Sequence, residues 1–361
     1  MLQPPTTKHH SVSLLAEVDY NRSSVRQLFK QYDRIGFIYP KKRKLLAPHW
    51  NQIIDNWQRL LHSKEELLWI FTRQATNQEH FASICSWRQS NHGLIAQHLV
   101  SSGNPVQSLQ VMLAAQYRAL HHPDAQTIQS SQNWFRPDNR YAYRIFASMF
   151  DKLGPEKASL LAFQYLHLPL GMGLPKAYLV SDSYQVEEVK AVDRTLIDFV
   201  SNRYGKVFTQ AEELDQLDIQ LRNIGETYAK YGLGRSRKIY KLSNREGRIV
   251  AAVIANRAPL GLNFSYLENR AYYIIEKEIG LHKRIELVQT INASLQTYYE
   301  DFALQKLPIV TDSETGAVLQ ALGAELFRNY IQSIWLREGF GQWYDHIDSF
   351  LERILARARR A

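Results

Sequence analysis

The chain runs the same course twice, and that repetition limits the folds open to it more than any single motif does. In the first half a short strand, "DRIGFIYP", precedes "HWNQIIDNWQRLLHS", where Trp50, Ile53, Ile54, Trp57, Leu60 and Leu61 recur at helical spacing. "ELLWIFTRQ", "FASICSWRQ" and "GLIAQHLVSS" follow as three strands separated by polar turns. "GNPVQSLQVMLAAQYRALHH" reads as a helix with Asn104 as its cap and Pro105 at its first position. The strand "TIQSSQNWF", the helix "RYAYRIFASMFDKLG" stopped by Gly154, and the strand "ASLLAFQYLHLPL" complete the pass.

The second half repeats the order. "PKAYLVS" reads as a strand, and "VEEVKAVDRTLIDFVSNRYG" and "AEELDQLDIQLRNIGETYAKYG" as helices ended by glycines. "RKIYKLS" and "RIVAAVIANR" form a hairpin about "NREG", and "FSYLENRAYYII" is a third strand. Leu287, Ile291, Leu295, Tyr298 and Phe302 then share one helical face; "LPIVTD", "SETGAVLQALG" and "ELFRNYIQSIWL" follow as strand, helix and strand. The last helix, "QWYDHIDSFLERILARARR", has no counterpart in the first half. The division expected is a polar arm over 1–25, units over 26–170 and 175–340, and a terminal helix over 341–361. The joint falls near 171–174 in the Gly- and Pro-rich "PLGMGLPK", and each unit is expected to hold its own core.

Length agrees with this division, since 361 residues suffice for two domains. The sole cysteine, Cys85, excludes an intramolecular disulfide and a CxxC zinc pair; it reads as a buried thiol in a reducing cytoplasm. No stretch is long and apolar enough to span a bilayer, because Gln164, His167 and Pro169 interrupt the most apolar one. A net charge of +9 leaves nucleic acid, anionic lipid and CoA-like ligands all open. "PKKRK" reads as a solvated loop, and "ARARR" as the positive end of the last helix.

Strand, one or two helices, three antiparallel strands, helix, strand, helix, strand resembles the order of the Gcn5-related N-acetyltransferases, the GNAT superfamily. The resemblance covers nearly the whole chain as two tandem copies. It implies an α/β fold with two GNAT-like domains, each a mixed, mainly antiparallel sheet flanked by helices, plus the extra C-terminal helix. It also implies acetyl-CoA or another acyl-CoA as donor and a small-molecule or peptide amine as acceptor.

In that family the fourth strand runs into R/Q-x-x-G-x-G/A and a helix, where small residues let successive N–H groups cradle a pyrophosphate. The second half offers "KEIGLHK": Lys277 in the basic position, Gly280 at the first glycine, then Leu281, His282 and Lys283. The first half offers "VSSGNP", with Gly103 kept and Pro105 removing an N–H. The resemblance therefore places the cofactor in the second half and makes the first structural. Relatives also carry N-x-x-A-x-x-L-Y-x-x-x-G-F, with the tyrosine as general acid. Here Met149-Phe150 with Gly154, and Val318-Leu319 with Gly323, stand at those positions, so neither copy has the hydroxyl.

Glu268, beside a strand that often supplies an acid in relatives, is the candidate base, set against a surface Glu paired with Arg270 or Lys277. Tyr330 in the closing strand is the candidate proton donor, set against a packing tyrosine, and His98 reads first as a satisfied sheet histidine, with facing the first half's cleft as the alternative. No GxSxG, GxxxxGK[ST] or HExxH occurs, and the pairs His9-His10 and His121-His122 lack partners at metal-site spacing. Two function classes fit: an acyl-CoA-dependent N-acyltransferase, and a catalytically degenerate copy that senses a ligand or binds a partner.

Overall fold

A computed structural model of the chain describes residues 15–74, 80–103, 105–170 and 183–358. Its first-half strands are β1 (Asp19–Tyr20), β2 (Leu68–Gln74), β3 (Phe81–Arg88), β4 (Gly93–Ser101), β5 (Ser130–Phe135) and β6 (Ala158–Pro169). Between them lie α1 (Val25–Arg34), α2 (Pro40–Leu46), α3 (Trp50–Leu61), α4 (Pro105–His121) and α5 (Arg140–Leu153). The second half has β7 (Tyr184–Glu188), α6 (Arg194–Tyr204), α7 (Lys206–Ala211), α8 (Arg222–Ala229), β8 (Ser236–Asn244), β9 (Ile249–Arg257) and β10 (Ala271–Ile275). It continues with α9 (Leu281–Tyr299), β11 (Lys306–Thr311), α10 (Ser313–Ala321), β12 (Glu325–Leu336) and α11 (Phe340–Ala358).

These strands form one sheet in the order β1-β2-β3-β4-β5-β12-β6-β11-β10-β9-β8-β7. Every neighbouring pair is antiparallel except β4–β5 and β10–β11. The two closing strands have changed places: β12 pairs with β5, and β6 pairs with β11. Burial follows the exchange, because one core gathers Phe29, Trp57 and Ile95 with Tyr273, Ile291 and Leu295. The expectation of a separate core for each half is thus overturned, since helices of the first half pack on strands and helices of the second.

Several local expectations are corrected as well. "DRIGFIYP" is the end of α1 and a turn, and "PKKRK" is α2, whose Lys42 is buried rather than solvated. Proline at N1 starts that helix with φ already set. "VEEV" belongs partly to β7, and the helix begins only at Arg194, where Asp193 accepts from the N–H groups of Thr195 and Leu196. "FSYLENR" is a buried loop with one 3-10 turn, so the third strand is limited to β10. Part of the expected polar arm is ordered as β1, paired with β2. The expected joint at 171–174, the strand "PKAYLVS", the cap Asn104 and the His9-His10 pair lie outside the described residues.

Candidate functional site

The parallel strands β4 and β5 pair at Gly93↔Ser130, Leu94↔Ser131 and Ile95↔Gln132, and then diverge. A bulge helps to part them. Along the neighbouring ladder Ser83 faces Val100 and Cys85 faces Gln97, so β4 carries an extra residue between these pairs. His98 sits in that bulge with φ at 54°, a left-handed conformation that few non-glycine residues adopt. The divergence opens a cleft of about 590 Å³ through the sheet.

One side of the cleft is helical. Asn139 caps α5 by accepting from Ala142 N–H at 3.2 Å, and Ala142 and Phe146, one turn apart, then face the opening. Tyr141 of α5 meets Ser108 of α4, hydroxyl to hydroxyl, at 2.8 Å. The opposite side is built from Phe37, Tyr39 and Lys42 around the start of α2, Phe264 and Ser265, and Arg328 and Tyr330 of β12. A second bulge, between Leu326 and Arg328 on β12, sets the register in which Arg328 and Tyr330 share a face.

Residues 258–270, which carry Phe264 and Ser265, are almost wholly buried, and buried backbone needs partners. Glu268 supplies two, accepting from Gly261 N–H at 2.6 Å and Asn263 N–H at 3.2 Å. Asn56 and Trp57 of α3 donate to the carbonyls of Leu260 and Gly261 at 3.0 and 2.7 Å. Tyr165 of β6 donates to Ser265 C=O at 2.6 Å. Burial pushes the Glu268 carboxyl up to about 8 against the opposing effect of those N–H groups. Glu268 therefore holds the loop from within, and it does not line the cleft.

His98 is stacked on Trp57, with ring centroids 5.5 Å apart, and its Nε2 accepts from Phe264 N–H at 3.2 Å. Burial, with Lys42 nearby, holds its pKa well below the ordinary histidine value, so the ring is neutral and its proton lies on Nδ1. That nitrogen has no partner among the described residues, and neither do the buried Asn133 Oδ1 and Trp134 Nε1 at the same cleft.

The charges on the cleft wall are all positive. Among the described residues Lys42, Arg136 and Arg328 line it, and no Asp or Glu does. Lys42 is 7% exposed; its ammonium lies over the Phe37 ring at 3.8 Å and has no hydrogen-bond or carboxylate partner among the described residues. Burial, then Arg328 and Arg136, lowers its pKa to about 7. Arg328 donates to the Tyr39 hydroxyl, and Arg136 meets Asp138 at 3.1 Å outside the cleft. Tyr330 donates to Ser265 Oγ at 3.1 Å, and burial raises its phenol's pKa.

The equivalent divergence in the second half is laced shut. β10 and β11 pair only at Ala271↔Ile309 and Tyr272↔Val310. Beyond them Thr311 Oγ1 donates to Tyr273 C=O at 2.9 Å, while Arg203 spans from Ile275 C=O, at 3.3 Å, to Asp312, at 2.9 Å. Arg284 adds bonds to Lys277 C=O and Thr315 Oγ1, each at 3.0 Å, and to Glu314 at 2.6 Å. Lys277, Gly280, Leu281, His282 and Lys283 are exposed at the start of α9, remote from the cleft wall.

Of the sequence candidates the cleft gathers His98 and Tyr330; it does not gather Glu268 or the Lys277–Lys283 group. Phe150, one turn beyond Phe146 on the same face of α5, packs with the core under α11 and does not line the cleft, so the helix residue at the cleft is Phe146. A signal for it was present. Asn139, Ala142, Ile145 and Phe146 stand at the spacing N-x-x-A-x-x-L-Y, one turn earlier than the Gly154 anchor suggests. Lys42 and Arg328 gave no such signal, because burial and a bulge place them. Cys85 is fully buried, its thiol pushed up to about 12. Outside the cleft Glu66, His122 and Asp124 bring three ligand atoms within 4.8 Å of one another, but Arg118 already pairs with Glu66.

No family model matches the chain, and no curated protein does. Among solved structures, it is similar to a tandem GNAT protein from the clavulanic acid biosynthesis pathway at 11% identity and a TM-score of 0.38, over 78% of this chain and 87% of that one. A GCN5-related glucosamine N-acetyltransferase region in a fungal multi-domain β-N-acetylglucosaminidase gives 13% and 0.45, over 88% and 38%. Saccharomyces cerevisiae N-myristoyltransferase gives 11% and 0.30, over 78% and 71%. Likenesses this distant carry no weight of their own, and the fold stands on the chain's strand order. Three antiparallel strands, a helix, a parallel strand that diverges, a helix and an antiparallel strand reproduce in the structure the order that resembles the GNAT superfamily.

Proposed function

We propose that the chain is an acyl-CoA-dependent N-acyltransferase whose donor, acetyl-CoA or another acyl-CoA, enters the β4–β5 cleft from the α4–α5 side. The units over 26–170 and 175–340, followed by the helix over 341–361, are then two GNAT-like domains that exchange closing strands. The observation that carries this reading is the contrast between the open β4–β5 divergence and the laced β10–β11 one. It moves the donor from Lys277, Gly280, Leu281, His282 and Lys283 to the first half.

The chemistry needs a nucleophilic amine, a polarised thioester carbonyl and a proton for the leaving sulfur. His98 and Leu99 have no register partner on β3, and this bulge is where the proposal sets the thioester oxygen, against backbone N–H groups. The amine nitrogen bonds to the carbonyl carbon as the carbon–sulfur bond breaks. The proton given up by nitrogen reaches the thiolate through the linked hydroxyls of Tyr330 and Ser265. Glu268 supports the wall and takes no proton in this scheme.

A second reading, a ligand-sensing module, is favoured by Phe146 and Leu319 standing where relatives carry the tyrosine. Calorimetric titration with acetyl-CoA, followed by thiol release with amine acceptors, separates the two. Binding that Ala96→Trp abolishes, with turnover, supports the enzyme; the same binding without turnover supports the sensor. No binding to the wild type, or full binding to Ala96→Trp, contradicts the cleft assignment.

A further inference from the structure

The proposed donor needs one side of the cleft, and the other side has a character of its own. Lys42, Arg328 and Tyr330 come from α2 and β12, across the sheet from Ser108, Tyr141 and Phe146 of α4 and α5. The packing divides the same way. Phe146 belongs to the core beneath α11, whereas Phe264 belongs to the core of α1 and α3, and Tyr330 to that of α6 and α7.

Three cations face this half of the opening, and the groups that would ordinarily neutralise them are engaged elsewhere. Glu325, the nearest acid along β12, meets Lys41 at 3.7 Å and Lys306 at 3.9 Å. Asp138 holds Arg136 at the exposed edge, and Asp33 pairs with Arg43. Lys42 thus keeps a nearly buried ammonium beside two guanidinium groups, with only ring faces against it among the described residues. A buried, unpaired cation is costly, and an arrangement of this kind is relieved by an anion. From this geometry we infer that the acceptor is a small amine bearing a carboxylate or a phosphate, bound by Lys42 and Arg328 with Arg136 at the rim. Tyr39 fixes Arg328, and the neutral ring of His98 adds no charge that competes for the anion.

This inference rests on the acyltransfer reading, so the test measures donor and acceptor separately on the full chain. Acetyl-CoA affinity is measured first, for wild type, Lys42→Met, Lys42→Arg and Arg328→Gln. Thermal stabilisation by glutamate, phosphoethanolamine, ethanolamine and spermidine is then read with CoA present, and thiol release from acetyl-CoA with the same four amines. The expected result is stabilisation and turnover with glutamate or phosphoethanolamine only, whichever of the two identifies the anion. Lys42→Met should raise KM for that amine about tenfold, an effect worth about 1.4 kcal/mol, with acetyl-CoA affinity kept and partial rescue in Lys42→Arg. Binding of the anionic amine should also take up a proton near pH 8, because an anion beside Lys42 restores its charge. Preference for ethanolamine or spermidine, or no response to any amine while CoA binds, overturns the inference. So does loss of acetyl-CoA affinity in Lys42→Met, since the cations would then hold the donor's phosphates. If acetyl-CoA fails to bind the wild type, the acyltransfer reading falls; stabilisation by an anionic amine alone would still support the anion site.

Discussion

The two places where parallel strands part in this molecule make opposite use of the same topology. At β10–β11 side chains bridge the gap: Thr311 to Tyr273, Arg203 to Ile275 and Asp312, and Arg284 to Lys277, Glu314 and Thr315. At β4–β5 the gap stays open, and around it lie an ammonium and buried polar atoms of His98, Asn133 and Trp134 that have no partner among the described residues. Unsatisfied polar groups weaken a fold, and closing the gap would remove the cost. Side chains bridge one divergence, while an open gap with an unpaired cation among the described residues marks the other; on the proposed function the first is a structural seam and the second a binding cleft.

The comparison breaks most visibly if the cleft is filled. Ala96→Trp should lower acetyl-CoA affinity about 100-fold or more, roughly 3 kcal/mol. Lys277→Glu combined with Lys283→Glu at the seam should change it less than about twofold. Parallel calorimetry checks both, and a larger loss in the double variant would return the donor to the second half.

Stability should respond with opposite signs in the two places. Arg284→Met removes charged hydrogen bonds from the seam and should destabilise by about 1–3 kcal/mol. Lys42→Met removes an unpaired buried charge and should stabilise the free protein by about 1 kcal/mol or more at pH 6. The pH dependence has a definite direction. Lys42 titrates near 7 in the folded chain and near its ordinary 10.5 when unfolded, so between these values the unfolded state holds the extra proton. Wild-type stability therefore rises with pH across that window through this group, and the advantage of Lys42→Met shrinks across it. Denaturant unfolding from pH 6 to 9.5 measures this, and a constant difference would argue that Lys42 is not desolvated.

The smallest effect is expected at the helix that borders the cleft. Phe146→Tyr adds a hydroxyl beside the proposed thioester with little change of shape, and should raise transfer by no more than about tenfold, below the full range of a positioned acid. Phe150→Tyr, one turn further along the same face of α5 and outside the cleft lining, should change transfer less. Equal effects from the two in a thiol-release assay would mean that neither hydroxyl reaches the reacting sulfur.

Local pattern made most of the elements legible. The β8–β9 hairpin, α3, α9 and the closing strands β6 and β12 follow from periods of two and 3.6 with turn residues between them. The exchange of β6 and β12 is not visible in that way, because an antiparallel strand has the same alternation whichever neighbour it meets. Nor is the burial of 258–270, where the partners of the backbone lie on α3 and β6, far away in sequence. For that reason Glu268 reads as an acid or a surface group and proves to be an internal brace. Under the family resemblance the glycine Gly154 points to Phe150 for the tyrosine position, whereas the spacing Asn139, Ala142, Ile145 points to Phe146.

Hydrogen exchange read by mass spectrometry with and without acetyl-CoA tests most directly which divergence holds the donor. The account predicts slower exchange across residues 96–101, the first turns of α4, and residues 136–146, with residues 277–286 unchanged. Protection confined to residues 277–286, or no protection in either place at saturating acetyl-CoA, would contradict it.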